Sequence, residues 1–304
     1  TDSFTVVLNA QPSSDVVLSV VSADTGEATV APAQLTFTNG NWDTAQTVTV
    51  TGVDDNLIDG TQATVVTVAV VDGSSDDAYD PVADSTVSVT TSDDDAAAFT
   101  LSGTAVTVSE AGSTATFTVV LGAQPASDVV LSVVSADTGE AIVSPATLTF
   151  TNGNWNAAQT VTVTGVDDSA TDGNQTTAVT VAVVDASSDN AFDALADQMV
   201  TATTSDDDSP GVSVTESDGS TGTTEGGGTD TFTVVLNTQP SSDVVASVVS
   251  SDTGEVTVTP AQLTFTSSNW DTAQTVTATG VDDTTVDGTQ NATITVSVVD
   301  SSSD

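Results

Sequence analysis

The chain has 304 residues, of which 43 are aspartate or glutamate and none is lysine, arginine or histidine. Because no basic side chain is present to form a salt bridge, clustered carboxylates must be spread apart, protonated or held by a metal cation. The same composition excludes electrostatic recognition of nucleic acid, phosphate or anionic lipid.

The remaining composition favours a folded β protein over disorder. Hydrophobic residues make up 38% of the chain, and valine and threonine are abundant, which suits half-buried pleated strands. No run approaches the roughly 18 consecutive apolar residues of a membrane span, so we expect no membrane insertion. The chain contains no cysteine, so disulfides are excluded.

One unit is repeated three times along the chain. The pentapeptide FTVVL starts at residues 4, 117 and 232, and a tryptophan follows at residues 42, 155 and 270. This spacing suits one sandwich domain per repeat, and it predicts domains at 1–95, 96–208 and 209–304. By alignment of the repeats, the first domain lacks its opening strand and the third its closing strand. We therefore expect either a segment of a longer array or a subunit whose edge sheets are completed by neighbouring copies.

Within each repeat the apolar residues alternate with polar ones. Residues 116–121, 160–164 and 178–183 follow period two, and turn dipeptides such as Asn152-Gly153 separate such runs. No window has helical periodicity. The predicted fold is all-β, with each repeat forming an immunoglobulin-like antiparallel sandwich of about seven strands.

Acidic residues recur at four places in the repeat. In an antiparallel sandwich these turns and strand ends gather at two poles, where five or more carboxylates would favour Ca²⁺ over Zn²⁺ or Mg²⁺. Aspartate is also a common turn residue, so a lone Asp59-Gly60 is better explained as a turn. The four places are an opening glutamate (Glu110, Glu225), a mid-repeat turn (Asp137 with Glu140, matched by Asp24 with Glu27 and Asp252 with Glu255), the GVDD…DG segment (Asp54, Asp55, Asp59; Asp167, Asp168, Asp172; Asp282, Asp283, Asp287) and a closing triplet (Asp93, Asp94, Asp95; Asp206, Asp207, Asp208).

The ordered segments VSEAGSTATFTVVL, TVTGVDD and TTSDDD resemble the Calx-beta domain, above all the Calx-beta-like repeats of large bacterial surface proteins. The resemblance covers all three repeats and implies a seven-stranded sandwich with Ca²⁺ at one pole. The mid-repeat segment is shorter than the family pattern, which leaves either Asp137 or Glu140 as the middle ligand. The ligands it implies are Glu110, Asp167, Asp168, Asp206, Asp207 and Asp208 in repeat 2, Asp54, Asp55 and Asp93 to Asp95 in repeat 1, and Glu225, Asp282 and Asp283 in repeat 3.

These features predict a structural extracellular or cell-surface protein without enzymatic activity. The chain lacks the histidine, cysteine and lysine of common nucleophilic sites. A paired-carboxylate glycosidase is chemically allowed, but catalytic sites are rarely tripled. We expect a calcium-stiffened fibre, stalk or filament that associates with copies of itself, head to tail or by strand exchange. The alternative is an adhesin whose repeats bind a glycan or a protein.

Overall fold

The computed structural model describes residues 1–286 and 288–300, and nearly all of its regular structure is β-strand. Within these residues, the helical elements are two single turns of 3₁₀-helix, Asp72–Ser74 and Asp185–Ser187. No helix in the described part of the chain has the length and hydrophobicity needed to cross a membrane.

The strands follow the repeats. Repeat 1 contains β1 (Asp2–Val6), β2 (Val16–Ser22), β3 (Ala28–Ala31), β4 (Gln34–Phe37), β5 (Gln46–Gly52), β6 (Gln62–Val70) and β7 (Ser85–Thr91). Repeat 2 contains β8 (Phe99–Leu101), β9 (Ala105–Ser109), β10 (Thr114–Leu121), β11 (Val129–Ser135), β12 (Ala141–Ser144), β13 (Thr147–Phe150), β14 (Gln159–Gly165), β15 (Gln175–Val183) and β16 (Gln198–Ser205). Repeat 3 contains β17 (Val212–Glu216), β18 (Thr229–Leu236), β19 (Val244–Ser250), β20 (Val256–Thr259), β21 (Gln262–Phe265), β22 (Gln274–Gly280) and β23 (Ile294–Val298).

Each repeat forms two sheets, which confirms the predicted fold class of tandem β-sandwiches. The sheet orders are β1-β5-β3 and β4-β2-β6-β7 in repeat 1, and β17-β18-β22-β20 and β21-β19-β23 in repeat 3. In repeat 2 they are β12-β14-β10-β8 and β13-β11-β15-β16-β9. In repeat 2 the opening segment is divided between the two sheets as β8 and β9, and the mid-repeat segment is divided between them as β12 and β13.

Period-two alternation explains the cores. On β10, Phe117, Val119 and Leu121 face inward and are buried, while threonines on β10 and β14 lie opposite one another outside the core. Phe192, from the long connection before β16, is also fully buried in the core of repeat 2. Each repeat has its own hydrophobic cluster. The sandwich is therefore the packing unit.

One strand pairing departs from the antiparallel prediction. β9 lies parallel to β16, with Val108 opposite Thr204 and Ser109 opposite Ser205. All other strand pairs in the described residues are antiparallel. The parallel pairing makes β9 and β16 end side by side, which places Glu110 next to the closing acidic triplet.

Successive repeats touch through the segment that follows the double aspartate. In joint 1, residues 56–58 of repeat 1 contact Gln124 of repeat 2. In joint 2, residues 169–171 of repeat 2 contact Gln239 of repeat 3. Each joint contains a parallel bridge, Leu57 with Gln124 and Ala170 with Gln239. The same loop therefore belongs to the acidic pole of one repeat and contacts the next repeat.

Candidate metal centre

The acidic segments of repeat 2 come together at one end of its sandwich. Glu110 directly follows β9, and the triplet of Asp206 to Asp208 follows β16. Glu140 directly precedes β12, whose first residue pairs with the last residue of β14. The double aspartate follows β14 two residues later. Strand pairing thus collects residues that are almost 100 positions apart in the chain.

The first group consists of Glu110, Asp206 and Asp208, whose carboxylates each offer an oxygen within 4.8 Å of the others. Glu110 is fully buried, and neither of its carboxylate oxygens has a hydrogen-bond partner in the described part of the chain. Burial, followed by the negative charges of Asp168 and Asp206, raises the pKa of Glu110 to about 7, although the backbone N–H of Asp207 opposes the shift without reaching hydrogen-bond geometry. A buried, unpaired carboxylate is unfavourable unless a proton or a cation neutralises it.

Asp206 is held in place by backbone N–H groups. Its Oδ2 accepts a hydrogen bond from Gly173 N–H at 2.8 Å, and its Oδ1 accepts one from Asp208 N–H, also at 2.8 Å. Asp93 makes the equivalent bonds in repeat 1, with Gly60 N–H and Asp95 N–H at 2.8 Å each. These bonds, led by the one from Gly60, lower the pKa of Asp93. The Asp-Gly turn therefore positions the first acid of the triplet.

The second group consists of Glu140, Asp168 and Asp172, again with oxygens within 4.8 Å of one another. Glu140 Oε2 is buried and has no hydrogen-bond partner among the described residues. Burial, then the charges of Asp172 and Asp168, raises its pKa. Asp168 Oδ1 accepts a hydrogen bond from Ala170 N–H at 2.6 Å, which ties this acid to the loop of joint 2.

Of the two alternatives for the middle acid, the structure brings Glu140 to the group. Asp137 is exposed, and its Oδ1 accepts a hydrogen bond from Gly139 N–H at 2.9 Å, as in an aspartate turn. Asp167 and Asp207 are also exposed and lie outside both groups. Their negative charges nevertheless contribute to the raised pKa of Asp208, for which burial is the main cause.

Repeat 1 has counterparts of these acids apart from Glu110, arranged more openly. They line a cavity of about 630 Å³ at its pole. Glu27, which occupies the position of Glu140, was not among the predicted ligands, although its DTGE motif matches that of repeat 2. Burial, followed by the charge of Asp59, raises the pKa of Glu27. The acids lining the cavity are Glu27, Asp54, Asp55, Asp59, Asp93, Asp94 and Asp95.

In repeat 3 the predicted acids are exposed. Glu225 follows Thr224, whose carbonyl lies beside Gly280 as that of Ser109 lies beside Gly165. Asp282 and Asp283 are both exposed, and Asp283 accepts a hydrogen bond from Thr285 N–H at 2.7 Å. Asp287 lies outside the described residues. Among the residues described, only repeat 2 has groups of three acids as compact as the two above.

The donor set fits a hard cation. Every candidate ligand is a carboxylate oxygen, since the chain has no histidine or cysteine to offer nitrogen or sulfur. Oxygen-only coordination by several carboxylates is the preference of Ca²⁺. A cation between Glu110 and its neighbours would satisfy oxygens that no protein group satisfies. The two groups share one pole, so they can form one polynuclear centre or two adjacent sites.

No protein-family model and no curated protein matches the chain. Among solved structures, domains 4 and 5 of the S-layer protein SbsC are 19% identical with a TM-score of 0.32, covering 62% of this chain and 70% of that one. The calcium-binding domain CBD12 of CALX1.1 is 14% identical with a TM-score of 0.30, covering 59% of this chain and 74% of that one. The E. coli chaperone DraB is 10% identical with a TM-score of 0.28, covering 56% and 87%. At these identities and TM-scores the neighbours assign no function to this chain.

Proposed function

We propose that this chain is a calcium-binding structural protein of the cell exterior, in which a cation at the acidic pole stiffens the joint to the next repeat. The observation that carries the proposal is Glu110, a fully buried carboxylate without a hydrogen-bond partner among the described residues. Leaving such a charge uncompensated costs several kcal/mol, on the order of the stability of a whole domain.

Calcium is favoured over other cations by the ligands. Ca²⁺ accepts six to eight oxygens in flexible geometry, whereas Mg²⁺ requires a near-octahedral shell and retains its waters. Zn²⁺ is usually bound by histidine nitrogen or cysteine sulfur. This chain contains neither histidine nor cysteine. The residues that would hold the ion are Glu110, Glu140, Asp168, Asp172, Asp206 and Asp208.

Cation binding is coupled to the joint through a short loop. Residues 169–171 lie between Asp168 and Asp172, and Ser169 carbonyl accepts a hydrogen bond from Gln239 N–H of the next repeat at 2.7 Å. Ordering the two aspartates restricts the loop, and the loop restricts the next repeat. A chain of such joints behaves as a rod, which suits a fibre, stalk or matrix filament.

The structural role is favoured over the adhesin alternative because several loops of the three repeats, such as the one around each tryptophan, are near-copies in sequence. Recognition of a glycan or protein by a terminal repeat would favour divergent loops. We expect no enzymatic activity. We also propose self-association into filaments, head to tail or by strand exchange, because the repeats are alike and the sheets have edges that strands can extend.

The test is calcium removal. We expect EDTA to lower the melting temperature strongly and to broaden the conformational distribution seen by small-angle scattering, with both effects reversed by Ca²⁺ but not by equimolar Mg²⁺. Melting and scattering curves that are unchanged in EDTA would contradict the proposal. We also propose that the chain resists trypsin-like proteases, because it offers them no lysine or arginine at which to cleave. Prompt digestion of the unfolded chain by pure trypsin would refute this resistance.

A further inference from the structure

The two joints differ in what fills the space between repeats. At joint 1, Ile58 is half-buried and packs against the hydrophobic core of repeat 2. At joint 2, Thr171 occupies the equivalent position and is exposed. Within the described residues, the partly buried hydrophobic side chains packed against the core of repeat 3 all belong to repeat 3. Joint 1 thus has an apolar anchor that joint 2 lacks.

A second substitution enlarges the difference. Phe99 pairs with Leu121 at the entry to repeat 2 and is buried, whereas its equivalent Val212, which pairs with Leu236, is 37% exposed. The space between the repeats at joint 2 is a cleft of about 530 Å³. Thr171, Val212, Leu236, Pro240 and Val244 are among the residues that line it.

Hydrogen bonding follows the same trend. At joint 1, Gln124 N–H donates to Asn56 carbonyl at 2.7 Å, and Ile58 N–H donates to Gln124 carbonyl at 3.0 Å. At joint 2, Gln239 N–H donates to Ser169 carbonyl at 2.7 Å, and the parallel bridge of Ala170 with Gln239 keeps the segments paired, although among the described residues the contact from Thr171 N–H lacks the good geometry of the bond from Ile58 N–H. Weaker pairing without an apolar anchor resists rotation and bending less than two well-formed bonds with one.

We propose that joint 2 is more flexible than joint 1, and that the residues at positions 58 and 171, together with those at positions 99 and 212, set this difference. Domain pairs with small interfaces move relative to one another by default. An apolar side chain seated in the neighbouring core opposes that motion, because bending exposes its surface to water. The array therefore combines stiff and flexible links in one chain. This inference concerns the difference in protein contacts between the two joints, so it holds whether or not a bound cation also stiffens both of them.

The test compares distance distributions across the two joints. Ala33, Ala146 and Ala261 are exposed and occupy equivalent turns of the three repeats. Since the chain has no cysteine, a spin label can be attached at pairs of these positions after substitution by cysteine. We expect a broader distance distribution between 146 and 261 than between 33 and 146. Equal widths across the two joints would overturn the proposal.

Reciprocal variants test the cause. We expect Thr171→Ile combined with Val212→Phe to narrow the distribution across joint 2 to the width measured across joint 1, and Ile58→Thr to broaden joint 1. Thr171→Ser is the matched control and should leave joint 2 unchanged. A width across joint 2 that does not respond to the double variant, or that responds equally to Thr171→Ser, would overturn the proposal. Melting curves establish that each variant is folded.

The same measurements separate this inference from the calcium proposal. Each pair is recorded in saturating Ca²⁺ and in EDTA. A difference between the joints within either buffer reports the asymmetry of the contacts, whereas a difference between buffers at one joint reports cation-dependent stiffening. The asymmetry is refuted if the two joints match in both buffers, whatever EDTA does to them.

Discussion

At the scale of single residues, Glu110 shows how this chain handles negative charge without basic partners. Its side chain is fully buried, and its pKa is raised to about 7 by burial and by neighbouring aspartates. Near neutral pH the carboxyl group is thus poised between holding a proton and binding a cation. The buried charge lowers the stability of the metal-free protein, and cation binding would remove this penalty.

Replacing Glu110 tests its effect in the metal-free protein and in the calcium-bound protein. In EDTA near pH 7.5, Glu110→Gln should stabilise the protein by about 1–3 kcal/mol, because it removes a buried charge with no partner. In Ca²⁺ the same variant should bind the ion about tenfold or more weakly, because it loses one carboxylate ligand. Thermal melting and calcium titration calorimetry measure the two effects. Glu216→Gln, at an exposed glutamate of β17, is the control, and equal behaviour of the two variants would contradict the prediction.

Asp76 differs from Glu110 in that hydrogen bonds stabilise its ionised form and lower its pKa. Its Oδ2 accepts hydrogen bonds from Ser13 N–H at 2.6 Å, from Ser13 Oγ at 2.7 Å and from Ser14 N–H at 3.1 Å. Oδ1 accepts one from Ala78 N–H at 3.0 Å. The hydrogen bonds, led by that of the Ser13 hydroxyl, lower the pKa of Asp76 to about 2. Asp189 makes an equivalent bond with Ser127 N–H in repeat 2, so this anchor is also repeated.

A defined acid dependence follows from the lowered pKa. The ionised form of Asp76 stabilises the folded state at pH values above the unfolded pKa of about 3.9, and this contribution is lost as pH falls towards 2. We expect the stability difference between the native chain and Asp76→Asn to shrink over this range. Urea unfolding at several pH values in EDTA measures it. A difference that stays constant between pH 5 and pH 2 would be evidence against the assigned pKa.

At the scale of elements, the position of Glu110 depends on the parallel pairing of β9 with β16. This pairing requires the chain before Glu110 to lie close against the end of β14. Gly165 permits the approach, because a Cβ at this residue would overlap the carbonyl oxygen of Ser109 and approach Val108 within 3.2 Å. The glycine is required for space rather than for an unusual backbone conformation, since its φ is not positive.

The Gly165→Ala variant should therefore damage both stability and the site. We expect repeat 2 to be destabilised by about 1–3 kcal/mol, the usual cost of overpacking, and calcium binding to weaken because Ser109 and Glu110 must shift together. Gly153→Ala is a suitable control, since the nearest atom to its Cβ would be Thr151 Oγ1 at 3.9 Å. Melting and calcium titration of both variants provide the comparison. Calcium affinity that is unchanged in Gly165→Ala would show that the approach of β9 does not position the ligand.

At the scale of the whole molecule, 43 acidic residues without a basic one produce strong self-repulsion in the absence of divalent cations. Monovalent salt screens exposed charges, with a Debye length of about 10 Å at 0.1 M. Divalent ions bound at the poles would neutralise the densest clusters directly. Salt and calcium should therefore substitute for one another in part, although only calcium would satisfy the buried oxygens.

Salt dependence tests this view of the molecule. In EDTA, raising NaCl from about 0.01 M to about 0.5 M should increase the melting temperature, because screening relieves repulsion in the compact state. In saturating Ca²⁺ the increase should be smaller. Choline chloride in place of NaCl distinguishes general screening from sodium binding at the acidic poles. A melting temperature in EDTA that does not rise with either salt would rule out charge repulsion as the main source of instability.

The sequence by itself determined the fold class and the nature of the ligands. Period-two alternation around residues such as Phe117 and Val119 specifies which face of a strand is buried, because side chains alternate strictly across a pleated sheet. The absence of histidine, cysteine and basic side chains restricts any metal ligand set to oxygen. These are local or compositional properties, so they can be read without knowing which segments meet.

Only the tertiary structure decided which acids meet and how the repeats join. Val106 and Val108 alternate like any other strand, so nothing local predicts that β9 leaves the sheet of β8 and pairs parallel with β16. Likewise, Asp137 and Glu140 are three residues apart in one turn, yet Glu140 lies with Asp168 and Asp172 while Asp137 caps its own turn. The difference between Ile58 and Thr171 affects the joints only because each residue lies where its repeat meets the next one. Strand partners and side-chain contacts depend on residues that are distant in the chain. Tertiary packing brings these residues together, and the local sequence pattern does not specify it.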